Sequence, residues 1–198
     1  FLATYAYYRS SFVFLQRADA AVRIESFDDD ALRGLRVVVD QAARAASPPA
    51  LALANRGLVD RQLRLVRDGA ATAALAAPVV QVAAGNADVG ILWGPVAGYF
   101  ASLQSVPLTV TPVQPEFDLP FLPMVFPIAI GVRPGDEALR DRLNVALAAR
   151  WGEIRSLLAE YRVPLLDLPR PTPTAPTEPG ARAQPTAADR PAGGGTGR

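Results

Sequence analysis

The sequence predicts an α/β fold built around a parallel sheet, and three observations carry that prediction. Leu35–Val39 (LRVVV) and Val89–Trp93 (VGILW) are short, nearly all-apolar runs, the composition of strands covered on both faces. Between them lie two helix starts, each marked by proline at Pro48 and Pro78. Hydrophobic residues make up 50% of the 198 positions, enough apolar surface to cover such a sheet from two sides.

The elements follow in order. Tyr5–Leu15 (YAYYRSSFVFL) is rich in aromatic and β-favouring residues and reads as a strand or a pair of strands. Ser26 is placed to cap a short helix whose first turn carries Asp28 and Asp29. After Leu35–Val39 the chain opens into Asp40-Gln41, and Ser47-Pro48-Pro49 starts a helix with Leu51, Ala54 and Leu58 on one face and a break at Gly57. Pro78 begins the next helix, with Val79, Val82 and Ala83 as its buried stripe and Gly85 as its stop. Prolines punctuate Val106–Pro127, which therefore passes as extended strand and loop. Ile128–Val132 is a further strand. A helix then opens at Asp136 with Leu139, Leu143, Ala146 and Leu147 along one stripe, and a last one from Gly152 carries Ile154, Leu157, Leu158 and Tyr161 before Pro164 ends it. The remainder is rich in Pro, Thr, Ala and Gly, with almost no large apolar residue to offset the entropy of ordering it, and is expected to be a disordered tail.

Composition excludes several functions. Net charge is +1, and the 20 basic residues, all Arg, are scattered among 19 acidic ones, so no concentrated stripe exists to draw nucleic acid. Pro, Gly or Arg interrupts every apolar run short of bilayer length. With no His and no Cys, the chain has no imidazole base, no thiol nucleophile, no Ser-His-Asp triad and no ordinary zinc site of its own. The expectation is a non-enzymatic protein without cofactor or metal. The Asp28-Asp29-Asp30 cluster lacks the spaced ligands and the turn glycine of a calcium loop, and a helix start accounts for it.

Four segments together resemble the type II periplasmic solute-binding proteins: Tyr7-Tyr8-Arg9-Ser10 leading into an apolar strand, Ser26–Val39, Ala83–Trp93, and Ile128–Leu147. Two further stretches, Ser47-Pro48-Pro49-Ala50-Leu51 through Gly57 and Trp93-Gly94-Pro95-Val96-Ala97-Gly98-Tyr99-Phe100 with Pro107–Pro112 after it, resemble a narrower branch. These are the J-type proteins that accompany quinoprotein methanol dehydrogenases. The resemblance implies a periplasmic binding protein-like II fold with two lobes joined by a hinge, one lobe incomplete in this chain. It implies residues 1–14 as hinge strand and remnant of the first lobe, 15–126 as the second α/β lobe, 127–167 as return hinge strand and C-terminal helices, and 168–198 as tail. It also implies a periplasmic accessory partner of a PQQ-dependent methanol or alcohol dehydrogenase, with a small solute or peptide in the cleft as a further occupant. The alternative is the substrate-binding component of an ABC transporter. With the opening segments of the first lobe lacking, the isolated chain is expected to be poorly soluble.

Candidate ligand contacts fall where such a cleft would lie. Tyr7, Tyr8, Arg9 and Ser10 lie in the hinge strand, where the Arg9 guanidinium can fork onto a carboxylate or simply pair with an acidic side chain of the chain itself. Asp40 and Gln41 follow a buried strand, the place where α/β folds put ligands and also an ordinary turn. Ser47 caps a helix whose free N–H groups suit an anion or water. Trp93, Gly94, Pro95 and Tyr99 combine large apolar faces with close backbone approach, which serves a cleft, an interface or core packing. Phe117–Phe126 (FDLPFLPMVF) is a partner-binding patch if exposed and a sheet cover if buried.

Overall fold

A computed structural model describes residues 1–39, 47–59, 62–63 and 71–172. Its elements in chain order are β1 (Leu2–Ala3), β2 (Tyr8–Arg17), a 3-10 turn (Asp30–Gly34), β3 (Val37–Val39), α1 (Pro48–Asn55), β4 (Gln62–Leu63), α2 (Ala71–Ala83), β5 (Val89–Trp93) and α3 (Gly94–Ser102). They continue with β6 (Leu108–Pro112), β7 (Phe117–Asp118), β8 (Leu122–Pro123), β9 (Val125–Ile128), β10 (Gly131–Val132), α4 (Glu137–Ala149) and α5 (Trp151–Glu160).

The main sheet runs β4-β3-β5-β2-β6, and β9 pairs with the first half of β2 off this path. β3 is parallel to both β4 and β5, whereas β2 is antiparallel to β5, β6 and β9. Side chains alternate between the two faces, so each strand feeds two cores. Phe14, Val37, Val39 and Ile91 pack on one face with Ile24, Phe27, Leu32, Leu53 and Met124. Val13, Leu15, Val38 and Leu92 pack on the other, covered by Val79 and Val82 of α2 and Ala97 of α3. Burial of each such Val, Leu or Phe contributes about 1.5–3 kcal/mol.

β2 is the axis of the molecule. Its second half lies between β5 and β6, while Tyr8–Ser11 pair with β9. Beyond both strands the chain enters a small antiparallel sheet in which Leu2 faces Val132 and Ala3 faces Gly131. Two antiparallel segments thus connect the main sheet to the β1–β10 ladder and to α4, whose Asn144 side chain accepts a hydrogen bond from the Tyr5 N–H at 2.7 Å. After α5 the chain returns across this connection. The Leu166 N–H donates to the Arg9 carbonyl at 2.9 Å, and the Ser10 hydroxyl donates to the Pro164 carbonyl at 2.7 Å. Residues 162–166 form a strap over the β2 crossing and the start of α3.

Several expectations are corrected. Ser26 caps no helix: its hydroxyl accepts from the Asp28 N–H, Asp29 accepts from the Glu25 and Ser26 N–H groups, and only the 3-10 turn from Asp30 follows. Short polar side chains satisfy the backbone there in turn form and compete with a helix. Pro78 lies inside α2 and not at its start. The alanine-rich segment before it has high helix propensity, and burial of Val79 and Val82 holds the chain in register past the proline. Ile128–Val132 is not one strand: Ile128 ends β9, and β10 is a separate pair on the small sheet. On α1 the buried side is Pro49, Ala52 and Leu53, while Leu51 and Ala54 are exposed; on α4 it is Asn144, Leu147 and Ala148, while Leu139 is exposed.

Candidate functional site

Parallel pairing of β3 with β5 places their carboxyl ends, Val39 and Trp93, on one edge of the sheet. Antiparallel pairing then brings the start of β2 to that edge, Phe12 opposite Trp93. Crevices outside the carboxyl ends of such strands are where open α/β sheets hold ligands. The two crossings border it, since Tyr8–Ser11 and β9 leave the main sheet from this edge.

Three rings meet there. The Phe12 and Trp93 centroids are 5.6 Å apart, Trp93 and Phe126 5.8 Å, and Phe12 and Phe126 6.2 Å, all edge to face. Each is half-buried. A cluster with exposed ring surface, held by the strands beneath it, suits an apolar or aromatic group in contact with it. Trp93 is legible in the sequence through its size and setting, whereas only strand register brings Phe12 and Phe126 to it.

The other candidates are distributed around this cluster. Arg9 pairs with Glu116, so its charge is satisfied within the chain. Tyr7 and Tyr8 stand edge to face at 5.1 Å, and burial, with Tyr7 beside it, raises the Tyr8 phenol above its ordinary range. Ser10 is buried with its hydroxyl on the strap. Ser47 caps α1, its hydroxyl accepting from the Ala50 N–H at 3.4 Å. Asp40 and Gln41 lie outside the described residues. Gly94 sits against the Ser11 carbonyl and Ser10 hydroxyl of β2 and then Pro164, and Gly98 against the Arg162 carbonyl, so Gly94 admits β2 and the strap together and Gly98 admits the strap onto α3. Tyr99 stacks on Tyr161 with centroids 5.8 Å apart, the same contact continued. Pro95 occupies the first turn of α3, where its missing N–H costs nothing.

A second cluster, which no local sequence pattern marks, surrounds Arg56. Arg56, at the end of α1, donates from both terminal nitrogens to the Asp118 carboxylate at 2.7 and 2.8 Å and from Nε to Asp28 at 2.8 Å. Its guanidinium also lies over the Phe27 ring, 5.7 Å from the centroid. Hydrogen bonding to Asp118, then to Asp28, raises the Arg56 pKa further, and the same contact holds the Asp28 carboxyl below its usual range. At the opposite edge of the sheet is a cavity of about 290 Å³ lined by the Arg17–Asp19 and Arg36–Asp88 pairs, whose charges cancel locally. No group of three or more His, Cys, Asp or Glu that could hold a metal occurs among the described residues.

A main sheet of parallel and antiparallel strands, two antiparallel crossings and an edge of strand carboxyl ends beside them make the architecture of a type II periplasmic binding protein. The comparisons with known proteins agree. The crystal structure of the periplasmic binding protein XoxJ from Methylobacterium extorquens AM1 superposes with a TM-score of 0.72 at 30% identity, covering 84% of this chain and 74% of that one. The curated protein MoxJ of Methylorubrum extorquens is 30% identical over 177 residues, 83% of this chain and 58% of MoxJ. MxaJ from Methlophaga aminisulfidivorans MPT shares the fold, with a TM-score of 0.70 at 23% identity over 83% of this chain and 70% of that one. No family model matches. The chain belongs to the family of periplasmic binding proteins that includes XoxJ and MoxJ. It spans less than two thirds of the length of MoxJ.

Proposed function

We propose that this protein is a non-enzymatic periplasmic accessory partner of a PQQ-dependent methanol or alcohol dehydrogenase, and that it engages that enzyme through the aromatic edge at Trp93. The observation that carries the reading is the half-buried Phe12–Trp93–Phe126 cluster at the ligand edge of a scaffold related to XoxJ and MoxJ. In support, the rings offer apolar contact without a free cation among the described hinge residues, because Arg9 is already paired with Glu116. An apolar cluster beside a paired arginine favours a protein or peptide over a charged solute as transporter cargo.

The test is co-purification of the intact protein with the methanol dehydrogenase of the same organism. A stable complex, and lowered dehydrogenase activity in a strain deleted for this gene, are the expected results. Absence of association together with unchanged activity removes the proposal, and tight binding of one small solute favours transport instead.

A further inference from the structure

We propose that the β7–β8 hairpin, Phe117–Pro123, is a preformed docking knob that inserts into an apolar pocket on a folded protein partner. The exposed side chains are large and adjacent: Phe117 is 65% exposed, Leu119 81% and Phe121 93%. Two phenylalanines and a leucine so exposed present on the order of 400–500 Å² of apolar surface, the size of the largest, often functional, patch on an ordinary monomer.

Three features separate this knob from a loose loop. Asp118, between the exposed residues, is 4% exposed and gripped from beneath by both terminal nitrogens of Arg56. The Phe121 N–H donates to the Asp118 carbonyl at 3.0 Å, and the Asn55 amide to the Leu119 carbonyl at 3.3 Å, so the tip is tied to itself and to α1. Phe121 also holds φ at 139°, a region suited to glycine, although its ring makes almost no contact within the chain. Backbone strain of this kind persists where surrounding structure over-determines it, and it clusters at binding and switch segments. An exposed aromatic at such a position gains nothing for the fold.

Size selects the occupant. A standard interface buries about 800 Å² on each side, so two such hairpins facing one another are too small for a stable homodimer. The same area suits the central anchor of an interface whose pocket belongs to a larger partner. Asp28, exposed and sharing Arg56 with Asp118, sets a carboxylate beside the knob and disfavours an anionic bilayer. The hairpin is also continuous with the ligand edge: Glu116 before it pairs with Arg9, and Phe126 after it joins the Trp93 cluster. A partner seated on the knob thus reaches both hinge crossings.

This inference rests on the dehydrogenase reading for the partner's identity, and the test separates the two. The full-length protein and its Phe121→Gly, Leu119→Ser and Leu157→Ser variants are titrated into the methanol dehydrogenase of the same organism by calorimetry, and each is melted. Phe121→Gly is expected to melt no lower than the unmodified protein, because strain is relieved, and to bind about 30-fold more weakly. Leu119→Ser weakens binding similarly, whereas Leu157→Ser, an exposed apolar position on α5, leaves it unchanged. If the unmodified protein binds and the hairpin variants match it, the knob assignment is overturned and the partner reading stands. No binding by the unmodified protein overturns the partner reading and takes the knob with it. Hairpin-dependent dimerisation, or hairpin-dependent partition onto phosphatidylethanolamine–phosphatidylglycerol vesicles, likewise overturns the inference.

Discussion

Gly98→Ala is expected to lower the melting temperature by roughly 6–12 °C, equivalent to about 3 kcal/mol for a chain of this size. An ideal Cβ at this position falls 1.9 Å from the Arg162 carbonyl oxygen, 2.9 Å from its carbon and 3.3 Å from the Pro164 ring. The nearest obstacles are backbone atoms, so no change of rotamer makes room. The strap must lift. Lifting it breaks the Leu166 to Arg9 and Ser10 to Pro164 hydrogen bonds and unstacks Tyr161 from Tyr99, at about 1 kcal/mol for each contact. Because Arg9 and Ser10 belong to the crossing between the two sheets, the same change loosens that crossing. Thermal melting followed by circular dichroism checks this, and a melt within a degree of the unmodified protein contradicts the packing described.

Arg56→Met is expected to cost about 3–5 kcal/mol, because it leaves the buried Asp118 carboxylate without its two-pronged partner. Asp118→Leu costs less, since Arg56 retains Asp28 and the Ala52 carbonyl. Combining the two substitutions recovers most of the loss, as replacing both members of a buried ion pair by apolar residues of similar volume removes desolvation along with attraction. Urea unfolding of the four proteins measures all three differences. Additive losses in the double variant contradict the view that Asp118 is held mainly by Arg56. The cycle also bears on the knob, whose base is this pair.

Much of the fold was legible because it depends on local chemistry. The apolar runs at Val37–Val39 and Val89–Trp93 have nowhere to go but a doubly covered sheet, Ser47 and Pro48 start α1, and Gly85 ends α2 in the left-handed region that suits glycine. Expectation and structure part where tertiary packing overrides local preference, at Pro78 inside α2 and in the division of Ile128–Val132 between two sheets, and where short polar side chains hold a turn in place of a helix, at Ser26. The candidate site was only partly legible for a related reason. Trp93 declared itself through size and setting, but Phe12 and Phe126 join it through strand pairing across long sequence separations. Gly94 and Gly98 stood out as permissive residues, yet what they admit is the returning strap, and nothing near them in sequence shows that. Arg56 and Asp118 lie 62 positions apart, and neither has neighbours that mark it as half of a pair.

Placing the photoreactive residue p-benzoylphenylalanine at position 93 of the full-length protein, and irradiating it with the methanol dehydrogenase of the same organism, tests most directly whether the aromatic edge is the engaged surface. A covalent product containing dehydrogenase, formed from position 93 and not from position 157 on α5, is the predicted result. A complex that forms but crosslinks from position 157 and never from position 93 contradicts the account.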